Sequence, residues 1–250
     1  MKKILTLIVL ILLFNSCEKP SDCIESSGAT VLKDVEVLPF KKIKVYRGIE
    51  VVITQGPETK VQIEAGANFI DNVEVKQYGD QLVFKDETSC NWVRAYGKTK
   101  ILITTPTLEE IYSKTDRNIS SNGVLGFDNL TLFSFDKDAD GESGAGTGDF
   151  IMTLNSTGTL TINNNNVSRF YLSGQMGTAN FNFYFGDGRI EAANLITQDI
   201  TVYHRGSNDM IVHPVQSITG LLNSTGNLVL KNVPPIVDLQ TLFYGSVVYP

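Results

Sequence analysis

From Ile43 onward the chain alternates apolar and polar positions with a period of two. Ile43 and Val45, then Ile49, Val51 and Ile53, Val61 and Ile63, Val73 and Val75, Leu82 and Phe84, and Ile101 and Ile103 mark the apolar positions, and Gly, Pro, Asn or Asp separate the groups. Successive side chains of an extended chain point to opposite faces, so the pattern predicts short strands with one buried face. Beyond residue 16, no window of a dozen residues places apolar side chains at i, i+3, i+4 and i+7, the spacing of a helix face. The expected class is all-β with almost no helix.

The second half adds a repeat. Gly158, Gly177, Gly188, Gly206, Gly226 and Gly245 each precede an alternating apolar pair, and the steps between glycines cluster at 18 to 20 residues with a half-step near ten. Such a period predicts a single-stranded parallel β-solenoid, or β-helix, of roughly 19–20 residues per coil. Short strands with frequent turns also describe a β-sandwich, which stays open as the alternative. Leu160, Ile162, Phe170, Leu172, Phe181, Phe183, Phe185, Ile190, Ile200, Val202, Leu228 and Leu230 are the expected inward positions, with glycine supplying positive φ at the corners. Residues 17–140 hold 35 charged residues in 124, whereas residues 141–250 hold 11 in 110, with 13 glycines and 12 asparagines. Equivalent side chains stacked at about 4.8 Å explain the shift: like charges there repel by about 0.9 kcal/mol even in water, while Asn and Thr can hydrogen-bond along the stack.

At this point the residues resemble a known family. The segment from Phe40 to Val45, Gly48 to Gly56, Val61 to Asn68, Pro106 with Leu108, and the Ser-Gly-Ala-Gly turn at 143–146 are similar to the "putative auto-transporter adhesin, head GIN domain" family of Bacteroidetes-type exported proteins. The resemblance runs from about Val35 to Tyr249 and implies a β-solenoid, often lipid-anchored, with no established catalytic residues. The later turns Gly186-Asp-Gly and Thr225-Gly-Asn depart from the family's Ser-Gly-x-Gly, which leaves the number of coils open.

The N-terminus reads as an address. Lys2 and Lys3 precede an apolar run from Ile4 to Phe14, about half the length needed to span a bilayer. Residues 1–16 are the expected lipoprotein signal peptide, and Cys17, after Ser16, the acylated first residue of the exported chain. A soluble exported protein is the alternative. Residues 17–34 form a tether, and residues 35–250 a single domain divided into a charged, strand-rich cap half (35–140) and a Gly/Asn-rich repeat half (141–250). Without residues 1–16 the chain has 19 basic and 27 acidic groups, so acyl chains rather than a basic patch must hold it on the membrane. That acidity also argues against a nucleic-acid partner. Cys23 and Cys90 remain as an even pair in an oxidising compartment, expected to form a disulfide, with two buried thiols as the alternative.

Candidate chemistry is sparse. Asp136, Asp138 and Asp140 before Gly141 have the alternating-carboxylate spacing of a Ca²⁺ loop, but position twelve is Thr147, where an EF-hand needs Glu. A solvated acidic turn competes with the ion site, and no other cofactor is expected. Gly144, Gly146 and Gly148 precede no helix and do not make a phosphate loop. His204 and His213, with Tyr203, Arg205 and Asp209 near, are read as corner residues rather than a catalytic set. Asp187 and Glu191 flank one turn and are the acid pair that a polysaccharide-processing β-helix enzyme would need. If Phe170, Phe183 and Val202 point inward, Tyr171, Tyr184 and Tyr203 point outward beside Asn180 and Asn182, making an amphipathic platform whose alternative is scattered surface aromatics. The expectation is a non-enzymatic, adhesin-like lipoprotein of the cell envelope, placed at the outer membrane, binding a glycan or protein. A polysaccharide-processing enzyme and a purely structural envelope protein are the alternatives.

Overall fold

The computed structural model describes residues 27–88, 99–135, 141, 144 and 146–250. Cys17, Cys23, Cys90, Asp136, Asp138, Asp140 and the signal segment lie outside these residues. The chain is all-β, with one short 3-10 turn at Ile70–Asn72. In the first half the strands are β1 (Thr30–Val35), β2 (Lys42–Val45), β3 (Ile49–Gln55), β4 (Lys60–Gly66), β5 (Val73–Tyr78), β6 (Gln81–Asp86) and β7 (Thr99–Thr105). β8 (Glu110–Ser113), β9 (Ile119–Leu125), β10 (Asn129–Ser134), β11 (Phe150–Asn155) and β12 (Thr159–Asn164) follow. The chain ends with three long strands, β13 (Arg169–Phe183), β14 (Arg189–His204) and β15 (Met210–Leu222), then β16 (Leu228–Leu230), β17 (Ile236–Thr241) and β18 (Val247–Val248). Together they form one eighteen-stranded sheet that wraps a single core in a nearly closed, barrel-like fashion.

Pairing runs along two ladders. One reads β5–β6–β2–β8–β10–β12–β13–β14–β15–β17. The other reads β1–β4–β7–β3–β9–β11–β13–β14–β15–β16–β18. The long strands β13 to β15 bend and serve both. Antiparallel pairing is confined, among the described strands, to β1–β4, β4–β7 and β5–β6. Every other pair is parallel, and in the second half partners are about one repeat apart, as in Phe150↔Phe170, Phe170↔Ile190, Ile190↔Met210 and Met210↔Leu228.

The alternation read from the sequence places the core. Ile43, Ile53, Leu82, Ile101, Leu160, Ile162, Phe170, Phe181, Phe183, Ile190, Val202 and Leu228 are buried, and each contributes roughly 1.5–3 kcal/mol by leaving water. Equivalent residues lie over one another: the Phe150 and Phe170 rings stack with centroids 4.9 Å apart and planes at 9°. Phe185 departs from the expectation. It lies beyond the end of β13, where the chain turns at Gly186 (φ +93°) and the alternation stops, and it is 53% exposed. The repeat glycines also act differently from the expectation, since Gly158, Gly177, Gly206, Gly226 and Gly245 do not have positive φ. Their role is close approach. A Cβ at Gly158 would fall 1.6 Å from the Asp128 carbonyl oxygen, and one at Gly177 would fall 1.9 Å from that of Thr157.

Candidate functional site

The first ladder carries an aromatic file on its outer face. In β2, β10 and β14 the buried positions Ile43, Leu132 and Val202 alternate with the half-buried Lys44, Phe133 and Tyr203, and in β8 Tyr112, next to Ile111, takes the equivalent position but is itself buried. Parallel register then lines up Lys44, Tyr112, Phe133, Asn163, Asn182 and Tyr203 across six adjacent strands. At about 4.8 Å per strand the file is roughly 24 Å long. Phe135 and Tyr184, just past the ends of β10 and β13, close the row. Tyr112 stacks on Phe133 at 5.4 Å, Phe133 meets Phe135 at 5.8 Å, Phe135 meets Tyr184 at 6.0 Å, and Tyr184 meets Tyr203 at 5.9 Å. These separations lie in the range where aromatic pairs attract beyond simple burial.

Polar groups hold the row in place. The Asn163 side-chain oxygen accepts from the Tyr184 hydroxyl at 3.1 Å and from the Asn182 amide at 3.2 Å, while the Asn180 amide donates to Thr161 Oγ1 at 3.4 Å. At the β2 end the row becomes cationic. The Lys44 ammonium sits 5.1 Å from the Tyr112 centroid and 5.5 Å from that of Tyr46, and Lys85 lies 4.4 Å from the Tyr46 ring. Buried Lys114 adds a third ammonium 5.3 Å from Tyr46. Such contacts are attractive at this range. Tyr184 is the most open ring, 38% exposed, and the arrangement as a whole offers π-faces, amides and cationic ends along one line.

Of the residues singled out from the sequence, Tyr184, Tyr203, Asn180 and Asn182 share this face. Tyr171 does not: it stands on the second ladder between Ile151 and Glu191. Tyr112, Phe133 and Phe135 escaped the sequence reading. The parity that turns Tyr203 outward applies equally to Phe133 and to Tyr112, which is nonetheless buried, but the pairing of β2 with β8 joins residues 68 apart and follows no visible repeat.

The other candidates separate. His204 is buried, its Nδ1 accepting the Gly206 N–H at 3.3 Å, and burial holds its pKa below the ordinary histidine value. His213 Nδ1 meets the Ala193 carbonyl at 3.1 Å, on β15 opposite Ile196. The acids Asp187 and Glu191 have partners of their own: Ser207 donates to Asp187 at 2.7 Å, and Arg189 pairs with Glu191. Glu191 in turn raises the Arg189 pKa, with Asp209 adding to the effect. Among the described residues no group of His, Cys, Asp and Glu is placed to hold a metal ion. An open groove of about 750 Å³ lies where Gln55, Pro106, Leu108, Glu109, Asp128 and Lys42 meet. Of its acids, Glu109 binds Lys41 at 2.7 Å and Asp128 accepts from Ser156 at 3.2 Å.

The described chain is thus an all-β framework with a linear, polar-aromatic outer face. The chain belongs to the family described as "Putative auto-transporter adhesin, head GIN domain", whose model matches residues 39–234. It is similar in structure to a "putative adhesin" from Bacteroides fragilis, with 25% identity and a TM-score of 0.77, covering 89% of this chain and 97% of that one. A "putative adhesin" from Parabacteroides distasonis shares 16% identity with a TM-score of 0.62, covering 89% and 98%. A "putative lipid binding protein" from the same species shares 14% identity with a TM-score of 0.55, covering 89% and 97%. The last two likenesses concern the fold alone. No curated protein matches the chain.

Proposed function

We propose that this protein is a lipid-anchored, non-catalytic component of the cell envelope, held at the outer membrane through acylated Cys17, that binds an extended glycan along its aromatic file. We also read the framework as a single-stranded parallel β-solenoid, a reading supported by parallel registers that recur about one repeat apart from Phe150 to Val248. The antiparallel strands β1, β4, β5 and β6 in the charged half then act as its cap, with Cys23 and Cys90 as a staple there.

The carrying observation is the continuous row Phe133–Phe135–Tyr184–Tyr203, backed at one end by buried Tyr112, with Asn163 and Asn182 set among the rings. Sugar rings offer C–H faces for aromatic contact and hydroxyls for amides, and both partners stand here in one line. Family membership among adhesins supports the same reading. The engagement of Asp187 by Ser207 and of Glu191 by Arg189 favours binding over sugar cleavage.

The test is a glycan array probed with the wild type and with Tyr184→Ala/Tyr203→Ala. Losing two stacking faces should weaken binding by about ten-fold or more, each aromatic contact being worth about 0.5–1.5 kcal/mol. Binding unchanged in the double variant would remove the file from the account. Release of sugar from the bound glycan would turn the assignment to the polysaccharide-processing enzyme.

A further inference from the structure

The outer face of the first ladder carries a second row beside the one from Lys44 to Tyr203. It is formed by the first residue past the end of β2, β8, β10, β12, β13 and β14, namely Tyr46, Lys114, Phe135, Asn165, Tyr184 and Arg205. Parallel register continues that far, because the amides of Lys114, Asn165, Tyr184 and Arg205 donate to the carbonyls of Val45, Ser134, Asn164 and Phe183 on the neighbouring strands. The backbone of Arg205 therefore stands one strand spacing, about 4.8 Å, from that of Tyr184.

Charge is spread unevenly over this face. The chain as a whole is acidic, with a formal net charge of −6. The two rows nevertheless hold Lys44, Lys114 and Arg205 and neither Asp nor Glu. The acids of the face stand back along the strands. Glu110 precedes Tyr112 by two residues, and Asp199 precedes Tyr203 by four and accepts from Ser217 at 2.6 Å. Lys44 and Lys114 lie against the Tyr112 and Tyr46 rings. Arg205 is exposed and has no ion pair among the described residues, and its one bond to the fold is through its backbone amide.

We infer that the glycan bound along the file is anionic, and that Arg205 holds a carboxylate or sulfate group on it while the adjoining sugar lies on Tyr184. This rests on the glycan reading above and names the class of glycan. A guanidinium presents N–H donors in a planar fork that matches two oxygens of such a group, and here it stands next to the most open ring of the row. The net negative charge of the chain repels polyanions at long range, so the attraction is local to these rows and selects a ligand whose acid falls at Arg205.

The test is an array that prints uronate-bearing and sulfated glycans, each beside its own neutral form, carboxyl-reduced or desulfated, probed with the full chain and two variants. Arg205→Gln removes the guanidinium from the file. Arg169→Gln removes an equal charge from an exposed residue of β13 on the second ladder, beside Tyr171. Both variants should keep the circular dichroism of the wild type. The wild type should bind the acidic member of a pair at least about ten-fold more tightly than the neutral one, and Arg205→Gln should lose that margin, the size of one charge-assisted hydrogen bond. Arg169→Gln should follow the wild type, and the pair that responds tells carboxylate from sulfate. Neutral forms bound as well as their acidic partners, or equal losses in the two variants, would overturn the anionic assignment and leave glycan binding in place. An array on which nothing is bound would overturn both.

Discussion

His204 shows what one buried polar group costs this molecule. It occupies an inward position, between Phe183 and Leu222 in register, where its neighbours in the stack are apolar. Its ring meets Phe183 edge-on at 6.0 Å, and Nδ1 accepts the Gly206 N–H. The backbone at Asn208 and Asn227 and the Asp209 carboxylate favour the charged form, but burial outweighs them and lowers the folded-state pKa below the ordinary 6.5 of the unfolded chain. The unfolded state therefore takes up the proton first as pH falls. The contribution of neutral His204 to stability is complete above about pH 6.5 and is lost below it, at up to about 1.4 kcal/mol per pH unit until the folded value is reached. Thermal melts between neutral and mildly acidic pH should show a falling Tm in the wild type and a flatter profile in His204→Gln. Identical slopes would mean that other groups carry the acid sensitivity. The sequence placed His204 among corner residues, because a polar type in an alternating run does not by itself announce that it faces inward.

The strand is the scale at which the repeat makes sense. Asn182 over Asn163, Asn180 over Thr161, Thr201 beside Thr219 at 3.4 Å and Ser173 beside Thr153 at 3.1 Å hydrogen-bond along the stack, as the scarcity of charge in residues 141–250 suggested. Where like charges do stack, Arg169 over Arg189, the latter is neutralised by Glu191 and Asp209. The repeat glycines were legible as a period but not as a mechanism. Their spacing suggested corners needing positive φ, whereas Gly177 is required because the Thr157 carbonyl approaches within 1.9 Å of where a Cβ would stand. That contact joins residues twenty apart and exists only once the strands are in register. Gly177→Ala should cost about 3 kcal/mol through backbone displacement, as overpacking does elsewhere, measured by denaturant unfolding. A loss below about 0.5 kcal/mol, the range of an ordinary surface substitution, would mean that the strands separate freely there.

Across the whole molecule, the second ladder counts eleven strands from β1 to β18, ten spacings of about 4.8 Å, or roughly 48 Å measured along the ladder. The described chain enters at β1 and leaves at β18. An acyl anchor at Cys17 would thus hold the β1 end and direct the β18 end away from the membrane, with the aromatic file along the side between them. Metabolic labelling with a palmitate analogue should mark the wild type and fail in Cys17→Ala. Labelling that survives the substitution would break this orientation. No helix among the described residues is long and apolar enough to cross a membrane. The sequence by itself determined the all-β class, the alternating core positions, the low charge of the repeat half and the family resemblance, because each depends on local pattern and composition. Only the tertiary structure decided that Tyr112, Phe133 and Phe135 join Tyr184 and Tyr203 while Tyr171 stands apart. Strand partners 20 to 68 residues apart are set by which edges meet in register, and that choice leaves no mark on the spacing of residues within a single strand.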